Sequence, residues 1–132
     1  DAARRKLNIY LEYRCNKKSN QDTAKKLLEL GVGNDIVTCD SAENKSIGDY
    51  RVAGISARAA EKGPGSVDYS MKWLQSLNEI VIDNKRCPHA AEEFLNYEYK
   101  EGNVVSGYPD KNNHAIDAVR YATNSIWKRR GE

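Results

Sequence analysis

The chain has 132 residues, of which 39% are hydrophobic and 30% charged, with a formal net charge of +2. That length suits one globular domain with a moderate core, and so small a charge gives no bulk basicity from which to infer a nucleic-acid partner. No apolar run is long enough to span a bilayer, and the polar opening Asp1–Lys6 does not read as a signal peptide.

The cysteines Cys15, Cys39 and Cys87 are odd in number and lack CxxC spacing, which argues against a disulfide framework or zinc site and for a reducing compartment. In Cys87-Pro88-His89 two possible ligands lie close together, but two ligands do not make a metal site. The basic clusters Arg4-Arg5-Lys6 and Lys128-Arg129-Arg130 read as solvated ends.

In chain order, Leu7, Ile9, Leu11 and Tyr13 alternate with Asn8, Tyr10 and Glu12, which predicts a strand with one buried face. Ser19 caps a helix carrying Ala24, Leu27 and Leu28, and Gly31 ends it. Ile36-Val-Thr-Cys-Asp40 reads as a buried strand from the middle of a sheet. Ser41 is a candidate cap for the next helix, which carries Ile47, Tyr50 and Arg51, and a short strand is expected over residues 55–60.

Gly63-Pro64-Gly65 marks a loop, with Ser66 as the expected cap of a helix whose face is Val67, Met71 and Leu74. Glu79–Asp83 is the next strand, and Pro88 opens a helix with Ala90, Ala91, Phe94 and Leu95. Residues 97–108 are expected to form an irregular hairpin turning at Gly102-Asn103. The last helix is predicted over about Asn113–Trp127, with a core stripe of Ala115, Ala118, Val119, Ala122 and Ile126. Strands alternating with helices give an α/β layered domain. The opening strand has no partner before it, so the chain is expected to begin inside a domain.

Asp40 follows a strand and precedes a helix. Ligands collect at the carboxyl ends of strands in open α/β sheets, so this carboxylate is placed either to hold a metal or to cap the helix. His114 and Asp117 lie one helical turn apart, where they can share a divalent ion or hydrogen-bond each other. Carboxylate oxygens suit Mg²⁺ and Mn²⁺. Two such ions about 3.5–4 Å apart promote phosphodiester cleavage, which normally needs more carboxylates than these two. Arg58 and Lys62 beside the glycine loop form a candidate phosphate contact, the other reading of the glycines being a plain turn. No GxxxxGK[ST] pattern occurs, so the sequence carries no ATPase site.

Three stretches carry a resemblance. Residues 39–47 (CDSAENKSI), 57–67 (ARAAEKGPGSV) and 108–121 (YPDKNNHAIDAVRY) resemble, in order, motifs of the nuclease domain of phage terminase large subunits, in their PBSX-like and SPP1-like branch. The resemblance runs through nearly the whole chain. It implies an RNase H-like fold, a mixed sheet flanked by helices, and a two-metal endonuclease using Mg²⁺ or Mn²⁺. Asp40, Asp117 and His114 match the metal-binding and catalytic residues of that family. Arg58, Lys62 and Lys111 are the weaker candidates for DNA contact, and residues 97–108 match a hairpin flanking the site.

The family's first catalytic aspartate lies on a strand expected before Asp1, and its ATPase domain is likewise not in this sequence, so the chain is expected to be part of a longer protein. Duplex DNA, a terminase small subunit and a portal are the implied partners, in the host bacterial cytoplasm. The alternatives are another RNase H-like enzyme of resolvase or transposase type, or a docking or DNA-binding piece without catalysis.

Overall fold

The computed structural model describes residues 1–40, 44–96 and 113–126. These fall into two compact units, one built from Asp1–Tyr13 and Pro64–Arg120, the other from Arg14–Gly63 and the chain from Tyr121 onward.

In the first unit, strand β1 (Lys6–Ile9) gains its partner far along the sequence. The second unit adds helix α1 (Asn20–Glu29), strand β2 (Ile36–Cys39), helix α2 (Asn44–Val52) and strand β3 (Ser56–Ala59). The chain then returns to the first unit with helix α3 (Ser66–Gln75), strand β4 (Glu79–Ile82), helix α4 (Pro88–Asn96) and helix α5 (His114–Ala122). Both ladders among the described residues are parallel, β1 with β4 and β2 with β3. The antiparallel pairing that a mixed sheet requires does not occur among the described residues.

The first unit buries Met71, Leu74 and Ile116, with Leu7, Trp73, Leu77, Phe94 and Val119 packed around them. Met71 and Leu74 lie on one face of α3, as their spacing requires. The second unit buries Ala24, Ile47, Ile55 and Ala57, with Leu27, Val37, Cys39 and Tyr50 against them. The Ser19 hydroxyl accepts from the Asp22 N–H at 3.1 Å, so the predicted cap of α1 is in place.

Four local expectations are corrected. The alternation from Leu7 to Tyr13 outlasts its strand. The ladder's last bond runs from the Asp83 N–H to the Ile9 carbonyl, and Tyr10, Leu11 and Tyr13 are exposed. β2 is not buried throughout, since Ile36 is 64% exposed and the other three residues are half-buried. Ser66 is the first residue of α3 and not its cap. The cap is Gly65, whose φ of 76° lies in the left-handed region that glycine adopts without a Cβ clash. In α5 the buried side chains are Ile116 and Arg120, whereas Ala118 and Ala122 face solvent. The stripe is turned toward Arg120 because its guanidinium is drawn inward by two hydrogen-bond partners.

The expected hairpin at 97–108, the Ser41 cap, Lys111, Trp127 and the closing basic cluster lie outside the described residues.

Candidate metal centre

The β2–β3 ladder pairs Cys39 with Ala59 at its last rung, and the Ala60 N–H then donates to the Cys39 carbonyl at 2.7 Å. Because the strands are parallel, both chains leave the ladder at the same end. Asp40, next after Cys39, and Lys62, three residues after Ala59, therefore emerge together. The Lys62 ammonium reaches Asp40 Oδ1 at 2.6 Å. It also sits 5.2 Å from the centre of the Tyr121 ring, within the range of a cation–π contact. The hydrogen bond to Asp40 raises the Lys62 pKa. Burial opposes that rise, and the nearby Tyr121 and Asp40 groups add to it, so the ammonium stays charged well past neutrality.

Asp40 directly follows β2, and α2 is described from Asn44 onward. Its carboxylate is a partly exposed oxygen donor at the carboxyl end of a parallel strand. On the same ladder Thr38 faces Arg58, and Arg58 Nε donates to Thr38 Oγ1 at 3.1 Å. Arg58 is thereby tied to the sheet and half-buried.

Within the first unit, α5 is fixed at its start by Glu93 of α4. Both Glu93 carboxylate oxygens accept from the Ala115 N–H, at 2.8 and 3.1 Å. A carboxylate there satisfies an otherwise unpaired helix donor and complements the positive end of the helix dipole. Asp117 lies on the same face as His114, one turn along. Its Oδ1 accepts from Arg120 Nη2 at 2.8 Å, while Arg120 Nη1 donates to Ser70 Oγ at 3.1 Å. Ser70 is fully buried and Arg120 nearly so. His114, at the first position of α5, is exposed.

A further carboxylate is engaged elsewhere in this unit. Glu12 accepts from the His89 and Ala90 N–H groups, each at 3.0 Å, and lies 3.3 Å from His89 Nδ1. It serves the amino end of α4. Cys87, completely buried next to it, has its thiol pKa raised by burial and then by the Glu12 and Asp83 charges, with Arg86 opposing. Among the described residues, no group of three or more His, Cys, Asp or Glu side chains is placed to hold a metal ion.

Sequence reasoning missed Glu93, Ser70 and Arg120. Arg120 sits within the motif 108–121, but nothing in its spacing marks it as buried. Ser70 and Glu93 carry no local signal, because their partners lie 50 and 22 residues away.

Parallel ladders, covering helices and carboxylates at a strand end and on the final helix are features of an α/β domain of the RNase H-like class. The chain belongs to the family described as the Terminase RNAseH like domain, whose model matches residues 1–125. It is 41% identical over 100 residues to the large terminase subunit of Bacillus phage SPP1, an alignment covering 72% of this chain and 24% of that protein. It is 30% identical over 125 residues to the PBSX phage terminase large subunit of Bacillus subtilis, covering 92% of this chain and 29% of that protein. The chain thus spans roughly a quarter of the length of these curated relatives. Among solved structures it resembles the nuclease domain of the SPP1 large terminase, g2p, with bound Mn. The two are 32% identical with a TM-score of 0.85, over 95% of this chain and 73% of the other.

Proposed function

We propose that this chain is a metal-dependent endodeoxyribonuclease domain that cuts concatemeric phage DNA during genome packaging, with Asp40, Asp117 and His114 as its cation ligands. The observation that carries this reading is the position of Asp40. It stands at the carboxyl end of a parallel strand pair, in a fold shared with a nuclease domain whose structure contains Mn. The donor chemistry fits a hard divalent cation. Both Asp40 and Asp117 already bind a positive group through a carboxylate oxygen, Lys62 in one case and Arg120 in the other. Two Mg²⁺ or Mn²⁺ ions are expected in the loaded site.

The chemistry that such bound cations supply is activation of a water for attack on phosphorus and neutralisation of charge at the leaving oxygen. The chain's own residues do the rest. Asp40 and Asp117 present oxygen donors, and His114 presents an imidazole nitrogen one turn from Asp117. Glu93 holds the first turn of α5, and with it His114. Arg58, Lys62 and Lys111 are the candidates for phosphate contact with duplex DNA. Such contacts position DNA without reading its sequence. A terminase small subunit and a portal are the proposed protein partners, and the host cytoplasm the proposed site of action. No helix among the described residues is long and apolar enough to cross a membrane.

Plasmid nicking in Mn²⁺ by the full-length protein tests the reading, since little or no cleavage is expected from residues 1–132 alone. Asp40→Asn and Asp117→Asn are each expected to abolish nicking with the circular dichroism spectrum unchanged. Cleavage that persists in both variants would overturn the assignment.

A further inference from the structure

We infer that Lys62 is an exchangeable counter-cation for Asp40, occupying the carboxylate oxygen in the metal-free protein and giving it up when a divalent cation arrives. The inference rests on the reading of Asp40 as a metal ligand and adds a residue that regulates its loading.

Two basic residues hold the two candidate carboxylates, and they differ in kind. Arg120 has a side chain only 8% exposed and is bonded to both Asp117 and buried Ser70. Releasing Asp117 would cost a buried guanidinium one of its partners, which makes Arg120 the lasting contact. Lys62 is 41% exposed and Asp40 48% exposed in their side chains. An ion pair so open to solvent contributes little net stability, because water competes for both partners. The 2.6 Å contact is nevertheless close and charge-assisted.

Lysine suits this task. Its ammonium is a compact point charge on a flexible stem, without the planar fork that commits arginine to one geometry. The Tyr121 ring, 5.2 Å from Nζ, gives the ammonium a second attraction that does not depend on Asp40. A divalent cation carries twice the charge to the same oxygen. Exchange therefore replaces a weak pair by a stronger one without opening any buried contact.

The test is Mn²⁺ binding followed by the electron paramagnetic resonance of the free ion, without DNA. Lys62→Met removes the competitor and should tighten Mn²⁺ binding by about two- to five-fold, the range that an exposed ion pair allows. Lys25→Met on α1 makes the same change in net charge and should leave the affinity unaltered. Asp40→Asn should weaken binding, and adding Lys62→Met to it should then change nothing further.

If Asp40→Asn leaves Mn²⁺ affinity intact, the reading of Asp40 as a ligand fails. If Asp40→Asn weakens binding but Lys62→Met behaves like Lys25→Met, or weakens binding too, exchange alone is overturned. Wild-type protein gives an independent measurement. Titration with Mg²⁺ should move the Lys62 ε-CH₂ resonance and not that of Lys25, and a Lys62 signal that stays still at saturation would also sink the inference.

Discussion

Arg120 Nη2 binds Asp117 Oδ1 at 2.8 Å, three residues back along α5. The pair differs from a surface ion pair of the same spacing in that the guanidinium is almost wholly buried and its other arm reaches Ser70. Arg120→Met would leave the Ser70 hydroxyl and one Asp117 oxygen without this donor. Unfolding in urea should show a loss of about 1–3 kcal/mol, the range for stranding buried polar partners. A variant as stable as wild type would show that the guanidinium contributes no net anchoring.

Glu12 gives a prediction in pH. Burial would raise its pKa, but the hydrogen bonds from the His89 and Ala90 N–H groups, with the His89 side chain and its charge, outweigh burial and hold the carboxyl below its ordinary value. A folded-state pKa lower than the unfolded one adds stability that is complete above the unfolded value and is lost as pH falls through the folded one. Glu12→Gln should therefore cost about 1–3 kcal/mol at neutral pH. That difference from wild type should shrink as the solution is acidified through the carboxylate range. Melting temperatures of both proteins across that range provide the measurement, and parallel curves would contradict it.

Glu93 supports α5 from outside the helix. Glu93→Ala removes the acceptor of the Ala115 N–H and should destabilise the protein by about 0.5–2 kcal/mol, as loss of a helix cap does. The effect should be local as well as global. Amide hydrogen exchange at Ala115 and its neighbours should accelerate, while exchange in β2 and β3 should follow only the change in global stability. Unchanged exchange at Ala115 would refute the capping role.

What the sequence made legible follows the physics of range. Ser19 was readable because a hydroxyl cap and its recipient lie three residues apart, and Pro88 because a missing N–H is tolerated at a helix start. The order of strands and helices was readable for the same reason, as was the family, from three ordered motifs.

β1 was overextended. Alternation records a strand's potential face, whereas the strand's end is set by where β4 stops pairing with it. The α5 stripe was misplaced because apolar periodicity cannot anticipate an arginine pulled inward by a serine 50 residues away. The sequence marks Lys62 only as a candidate phosphate contact beside the glycine loop, a role that stays proposed. Its bond to Asp40 follows only from parallel register, which residue spacing does not disclose.

That register makes positions 40 and 62 a unit of inheritance. Deleting or inserting one residue between Ala59 and Lys62 would carry the base away from the acid although neither had mutated. Relatives that keep the aspartate should accordingly conserve the length of this tether more strictly than the identity of the residues along it.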